Sequence, residues 1–510
     1  MAGLTSVRGL DVLPRSVVRI GEAEVGAVRD ARTVGGPAAR VAALAQSAPA
    51  ELRDLEGETS SVDGRWFRVG PMTPRNLAVV QRALPWLSPR PLELARSFGF
   101  GDRLGLATPG HIRAMRAAGA GIAPIFAQQS IREMVRTNRT PAQVLNDAAW
   151  GVFMEGWRDG FGADADHLKT TADVDGCLDA GYTFFTFDPG AYVDPEADAR
   201  SAAAIASALD ALPWRDLDDT RERMWHRYRG RTLELDREML TYDDDGIARA
   251  AVKYGRAVAH VAVLYRHLRS RDSTVEVEIS VDETDTPTTP VQHAYVATEL
   301  RRLGVQWVSL APRFVGRFEK GVDYIGDPVA FDRDAAVHAA IARRLGPYKL
   351  SLHSGSDKLS VYGAFGRRAG TLAHIKTAGT SYLEALRTIA PLDPALFRDI
   401  YVLAHERYGE DRASYHVSAA AERAPAPGTM ADRDLASLLD NFDAREMLHV
   451  TFGSALAVYG PRLQAVLRAN PDAYDASVER HFIRHLSAFG VPERGLSGAD
   501  SAAGTPRPSG

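Results

Sequence analysis

Lysine is scarce in this chain and cysteine nearly absent. Of 61 basic residues only six are lysine: Lys169, Lys253, Lys320, Lys349, Lys358 and Lys376. All six fall between positions 169 and 376, and arginine supplies the remaining basic charge. Lysine is a compact point charge whose pKa burial can shift, so an arginine-biased chain can keep it where a guanidinium does not fit. We therefore expect three or more of the six to lie in or beside one polar site. The single cysteine, Cys177, excludes an intrachain disulfide and any zinc cluster built on thiolates. No stretch approaches 18 consecutive apolar residues, so neither a transmembrane helix nor a membrane partner is expected. The N-terminus has no apolar segment of the secretory kind. The formal charge of −4 leaves no general basic face for nucleic acid. Together these absences predict a cytoplasmic protein acting on a small molecule. They say nothing of its oligomeric state.

The chain has 510 residues, of which 45% are hydrophobic and 25% charged, enough for two or more domains or one large barrel with additions. Residues 1–95 read as an N-terminal accessory region, with strands over 15–20 and 65–70 and a short helix over 75–84. From about 96 the texture changes. Eight short apolar or alternating runs recur, each bounded by turn formers and followed by a helical pattern: 97–107, 122–128, 163–169, 182–188, 274–281, 305–311, 348–354 and 371–377. Strands alternating with helices predict parallel βαβ units. Eight of them predict an α/β fold, a (β/α)8 TIM-like barrel over 96–380, whose strand ends carry the chemistry. An open doubly wound sheet is the alternative. The long gap between the fourth and fifth runs reads as a helical insertion, about 190–272. Residues 381–495 read as a helical C-terminal region, and the Gly/Pro/Ser/Ala-rich tail 496–510 as disordered.

Ionisable residues collect at the predicted strand ends. The third run contains Asp164, Asp166, His167 and Lys169. Strand alternation puts His167 and Lys169 on one face and the two aspartates on the other. His167 reads as a metal ligand, Asp166 or Asp164 as a base and Lys169 as an electrostatic contact; the bland reading is a solvated strand end. The seventh run ends in His353, then a Ser/Gly turn and Lys358, a pattern that suits a metal ligand or an anion cradle. In the fifth run Glu276 and Glu278 share a face. Glu278, nearer the C-terminal end, reads as a ligand or a general acid/base. Glu276 is expected to pair with an arginine, and Asp282 and Glu283 to be solvated. Gln128 ends the second run and suits sugar hydroxyls. Asp102 lies in a glycine-rich GFGDRLG segment whose spacing does not match a dinucleotide fingerprint. Arg313 follows the sixth run, with Glu319 just beyond. Lys376 lies late in the eighth run, where a Schiff-base role is conceivable.

Several stretches together resemble the tagaturonate/fructuronate epimerase family of hexuronate catabolism: FGFGDRLGLATPGH (98–111), IFAQQSIREM (125–134), GADADHLKT (162–170), WVSLAPRFVG (307–316), GVDYIGD (321–327), YKLSLHSGSDK (348–358), SYHVSA (414–419) and REMLHVTFG (445–453). The resemblance spans about 98–455. It implies a divalent metal at His167 and His353, with Glu319 as a further ligand position, and acid/base work by Asp166 and Glu278. It also implies a keto-uronate substrate, for which Lys169, Gln128, Arg313, Lys358, Lys376 and Asp102 are the candidate contacts, with His416 in a possible lid. Nitrogen and oxygen ligands do not choose among Zn, Mn, Co and Ni. No nicotinamide is expected. Two other readings remain: a metal-dependent or Schiff-base sugar aldolase or ketose isomerase on the same barrel, and a non-catalytic sugar-acid binding protein.

Overall fold

The computed structural model describes residues 3–30, 38–236, 238–377, 379–426, 428 and 430–490, so the tail at 496–510 lies outside the described residues. The N-terminal region is an antiparallel sheet. Its strands are β1 (Asp11–Val12), β2 (Val18–Ile20), β3 (Ala23–Asp30), β4 (Ala38–Ala45), β5 (Glu58–Val62) and β6 (Arg65–Pro71). They pair in the order β1-β3-β4-β6-β5, with β2 also on β3. The sequence reading anticipates β2, β6 and the helix Pro74–Ala83. It misses β3 and β4, because alanine-rich segments carry little β-propensity and only their pairing makes them strands. This sheet joins the rest of the molecule in one hydrophobic core that runs from Val25 and Val41 to the barrel and the last helix.

The eight runs form β7 (Ser97–Gly101), β8 (Ala123–Ser130), β9 (Gly162–Leu168), β10 (Phe184–Phe187), β13 (Glu276–Ser280), β14 (Ser309–Ala311), β15 (Lys349–Leu352) and β16 (Ala373–Thr377). Between β10 and β13 lies a hairpin of β11 (Thr232–Glu234) and β12 (Met239–Thr241). The eight strands close a parallel barrel in chain order, with β16 returning to β7. The expected (β/α)8 architecture is therefore present, and the open sheet is not. Between β10 and β13 the chain also adds the helices Ala202–Asp210, Arg221–Tyr228 and Asp244–Arg271. Beyond β16 it is helical to Phe489.

Local rules explain where the helices begin. Thr140, Thr170 and Thr289 each cap a helix with a reciprocal box, the partners being Gln143, Asp173 and Gln292. The box at Thr170 also bears on the barrel mouth. Asp173 accepts from the backbone of Lys169 (3.1 Å) and Thr170 (2.9 Å), which fixes the chain just after β9.

One irregularity decides what the mouth contains. Along β10, Phe185 pairs with Ala165 and Phe187 with Leu168, so β9 carries one extra residue there. His167 absorbs it with φ at +54°, a left-handed conformation uncommon for a side-chain-bearing residue. The alternation expected from the sequence fails at this bulge. Asp164 and Asp166 face the barrel interior, and His167, instead of turning to the opposite side, lies beside Asp166.

Candidate active site

The centre of the site is Lys376 on β16. Its ammonium lies 2.6 Å from Asp164, 2.9 Å from Asp166 and 2.7 Å from Glu278. Thr186 on β10 donates to Asp164 at 2.9 Å. These groups are buried. Three carboxylates could not be desolvated together without such a partner, because an unpaired buried charge is costly.

Charge compensation sets the protonation states. Burial alone would lower the Lys376 pKa, but Asp164, Asp166 and Glu278 outweigh it and raise it far above the ordinary value. Burial alone would raise Glu278; Lys376 and His353 instead hold it well below the carboxylate range. Asp166 is likewise held low against burial, by His167, Lys376 and His353. Asp164 goes the other way: burial, reinforced by Asp166 and Glu278, pushes it up to about 7 despite Lys376. Of the three carboxyl groups, Asp164 is thus the one that takes a proton most readily.

His167 and His353 come together above this layer, with ring centroids 5.3 Å apart. His353 Nε2 lies 2.6 Å from Glu278 and its Nδ1 3.2 Å from Asp282. His167 Nε2 lies 3.8 Å from Asp166 and its Nδ1 3.3 Å from Asp188. Burial would lower both histidines. Asp166, Glu283 and Asp188 raise His167 to about 10, and Asp282 and Glu278 raise His353 to about 9.

The loop that carries His353 is held from several sides. Gly355 has no room for a side chain, since a Cβ would meet Ile375 at 2.7 Å and the carbonyl of Lys376 at 2.8 Å. The Tyr362 hydroxyl donates to the Gly355 carbonyl.

The residues present fit a divalent cation. Asp166, His167 and His353 each offer one ligand atom, all within 4.8 Å of one another. The donors are nitrogen and oxygen, carboxylates outnumber the nearby ammonium groups, and Glu278 Oε2 is buried without a hydrogen-bond partner among the described residues.

The other candidates divide. Gln128 reaches Asp166 at 3.4 Å, and its own carbonyl oxygen is buried without a partner among the described residues. Lys169 pairs with Asp188 at 3.1 Å. Lys320 donates to Ser354, beside His353, at 2.6 Å. Arg313 follows β14; its Nε is buried with no hydrogen-bond partner among the described residues. His416 is 85% exposed, 4.0 Å from Asp285.

Three expectations need correction. Glu319 is not brought to the histidines: its carboxylate accepts from the backbone and hydroxyl of Ser418, at 2.8 and 2.7 Å. Lys358 is not free to grip a substrate, because its buried ammonium donates to the carbonyls of Glu319 (2.7 Å), Val322 (2.5 Å) and Ser356 (3.0 Å). Asp102 caps its own turn, accepting from Leu104, Gly105 and Ala107. Two further readings of side chains also fail. Glu276 meets no arginine among the described residues; it accepts from the backbone of Leu92 at 2.9 Å and of Glu93. Asp282 and Glu283 are not a solvated loop. Asp282 binds His353, and Glu283 binds Arg132 at 3.1 Å. The one signal for them was position, since they directly follow a barrel strand.

A barrel with carboxylates, histidines and a lysine converging at its C-terminal mouth has the form of an enzyme for a small polar substrate. The comparisons narrow this. The family model UxaE, tagaturonate epimerase, matches residues 40–489. A tagaturonate/fructuronate epimerase from Thermotoga maritima is 43% identical over 413 residues, which cover 81% of this chain and 84% of that protein. A glycerol-complexed crystal structure of fructuronate-tagaturonate epimerase UxaE from Cohnella laeviribosi superposes with a TM-score of 0.88 at 35% identity, covering 94% of this chain and 96% of that one. A native structure of the same Cohnella enzyme gives 0.88 at 34% identity, with 96% and 98% coverage. The chain belongs to the tagaturonate epimerase family.

Proposed function

We propose that this chain interconverts D-tagaturonate and D-fructuronate. The observation that supports it most directly is the convergence of Asp166 and Glu278, from β9 and β13, on the ammonium of Lys376 beneath two paired histidines. Numbered from the carboxylate, the two sugars differ at C3 and carry the ketone at C5. The C3–H bond is β to the ketone and is not acidified by it, so enolisation alone cannot invert this carbon. The C3 hydroxyl and the ketone do form an aldol linkage.

The residues suit its reversal. A carboxylate, Asp166 or Glu278, takes the C3 hydroxyl proton. The C3–C4 bond breaks, and its electron pair moves into an enediolate over C4 and C5. The aldehyde left at C3 turns about the C2–C3 bond. C4 then adds to its other face, and the new alkoxide takes its proton from the second carboxyl, to which the first proton has passed through the Lys376 ammonium that touches both, at 2.9 Å from Asp166 and 2.7 Å from Glu278. Two proton carriers on separate strands match the two faces, and Lys376 keeps both close to charge balance. Arg313, which follows β14 and whose buried Nε has no hydrogen-bond partner among the described residues, suits the substrate carboxylate, which must be held while the rest of its fragment turns. Gln128 offers its free carbonyl oxygen to a hydroxyl. A divalent cation held by Asp166, His167 and His353 would supply Lewis-acid polarisation of the substrate oxygens.

The Schiff-base alternative fares poorly, because a lysine encircled by three carboxylates stays protonated and is no nucleophile. Borohydride with substrate should therefore trap nothing. The main test is an NMR assay of purified protein on tagaturonate, run before chelation, after it, and after return of Zn, Mn, Co or Ni. Failure to form fructuronate under every condition would sink the proposal. Substrate deuterated at C3 should keep its label without a primary isotope effect. A primary effect there would point to transient oxidation and leave the epimerase reading standing.

A further inference from the structure

The two histidines are held in the same way. Each turns Nδ1 to an aspartate that follows a barrel strand and Nε2 toward the carboxylates of the barrel interior. For His353 the aspartate is Asp282, at 3.2 Å, and the inward contact is Glu278, at 2.6 Å. For His167 they are Asp188, at 3.3 Å, and Asp166, at 3.8 Å. Both aspartates are themselves fixed. Asp282 accepts from Ser280 Oγ at 2.5 Å. Asp188 accepts from the backbone of Gly190 at 2.8 Å and pairs with Lys169 at 3.1 Å. The loops bearing them come from β10 and β13, which are neighbours in the barrel.

A carboxylate close to Nδ1, at 3.2 Å in one ring and 3.3 Å in the other, favours the tautomer that carries its proton there. Nε2, which faces Glu278 in one ring and Asp166 in the other, is then the nitrogen whose proton a cation would displace. Metal-ligating histidines are commonly oriented by such a partner, and losing it typically costs 10–100-fold in metal affinity. We propose that Asp188 and Asp282 are positioning residues that present His167 and His353 to a divalent cation through Nε2.

His167, Asp188 and Glu283 also approach one another closely enough to suggest a second cation site. Their charge argues against it. Lys169 already pairs with Asp188, and Arg132 with Glu283 at 3.1 Å. Asp188 therefore has a basic partner on each side, His167 and Lys169, and its place is beside the histidine.

This inference rests on the reading that the mouth holds a metal, and the experiment separates the two. Zinc binding is measured by calorimetry on chelated, dialysed protein: wild type, Asp188→Asn and Asp282→Asn. Histidine nitrogen NMR on zinc-loaded wild type reports which ring nitrogen is bound, without depending on any variant folding. We expect one zinc per wild-type chain, bound through Nε2 of both histidines with protons on Nδ1. Each variant should bind about 10–100-fold more weakly, with the circular dichroism of wild type. Zinc bound through Nδ1 of either ring, or variants with wild-type affinity, would overturn the positioning role and leave the metal reading intact. A wild-type chain that takes up no zinc, manganese, cobalt or nickel would overturn both.

Discussion

His167 and His353 at the barrel mouth and His481 and His485 on the helix Pro471–Phe489 are built from the same parts. Each pair of rings meets an aspartate, Asp166 in one case and Asp357 in the other, within 4.8 Å. Read as ligand lists, both clusters could hold a metal. Their surroundings make them opposites. At the mouth, carboxylates outnumber cations and raise the histidines to about 10 and about 9 against burial. In the second cluster Arg445 already pairs with Asp357 at 2.8 Å. Burial then dominates, and His481 falls to about 4 and His485 to about 3. His485 has no nitrogen to spare: Nδ1 donates to the carbonyl of His481 and Nε2 accepts from the backbone of Asp357, both at 2.9 Å. A backbone N–H can only donate and a carbonyl only accept, so this tautomer is forced. Ligand identity alone thus fails to separate a candidate metal site from a structural one; local charge balance and hydrogen-bond saturation separate them. The second cluster clamps the loop after β15 to the last helix, where Asp357 meets His485.

The largest expected contrast is in turnover. Asp166→Asn and Glu278→Gln should each lower kcat by about 10²–10⁴-fold, the usual contribution of a general acid or base. Their circular dichroism should stay that of wild type. The matching change in the second cluster, Asp357→Asn, should act on stability instead. It leaves Arg445 buried beside a neutral partner, and breaking a buried pair costs about 3–5 kcal/mol. Urea unfolding measures this. A wild-type midpoint for Asp357→Asn, or wild-type turnover for Asp166→Asn, would break the division between the two clusters.

The division also shows how far the sequence reading reaches. Strands β7 to β10 and β13 to β16 were legible because each is a short apolar run between turn formers, a local property. His167, His353, Asp166, Glu278 and Lys376 stood out because ionisable residues at barrel strand ends are unexpected on the bland reading. Other features lie beyond local pattern. The facing of His167 depends on a bulge detectable only from the pairing of β9 with β10. The engagement of Glu319 by Ser418 spans 99 residues, and that of Lys358 by Glu319 spans 39. Asp282 and Glu283 look like any acidic loop until His353 and Arg132 arrive beside them. Five of the six lysines illustrate both sides. Lys376, Lys169 and Lys320 gather at the mouth, whereas Lys253 and Lys358 are buried in structural bonds, Lys253 to Asp198 at 2.8 Å.

The clusters should also set opposite pH limits. His353 and His167 have folded pKa values near 9 and 10, above the unfolded value of about 6.5. The stability they contribute is complete below about 6.5 and lost as pH rises through 9 to 10. His481 and His485, near 4 and 3, lie below the unfolded value. Their contribution is complete above about 6.5 and lost as pH falls toward 4 and 3. Chelated protein should therefore show a Tm that declines on both sides of a maximum near 6.5. A saturating divalent cation should flatten the alkaline limb alone, since it competes with protons for His167 and His353. An alkaline limb indifferent to the cation would place the metal elsewhere.

The smallest expected effect is the most discriminating. His481→Gln removes one ring from the second cluster while keeping a hydrogen-bonding side chain of similar reach. If that cluster is structural, zinc stoichiometry should remain at one per chain and kcat should stay within about threefold, because Asp357 keeps Arg445 and His485. The acid limb of the Tm profile should flatten, since one of the two buried neutral imidazoles that oppose protonation is gone. His353→Gln should do the reverse, lowering zinc uptake toward zero and leaving the acid limb as it was. Loss of bound zinc in His481→Gln would show that a free ring nitrogen outweighs charge balance. The ground on which the two clusters are told apart would then be wrong, even with the barrel mouth correctly read.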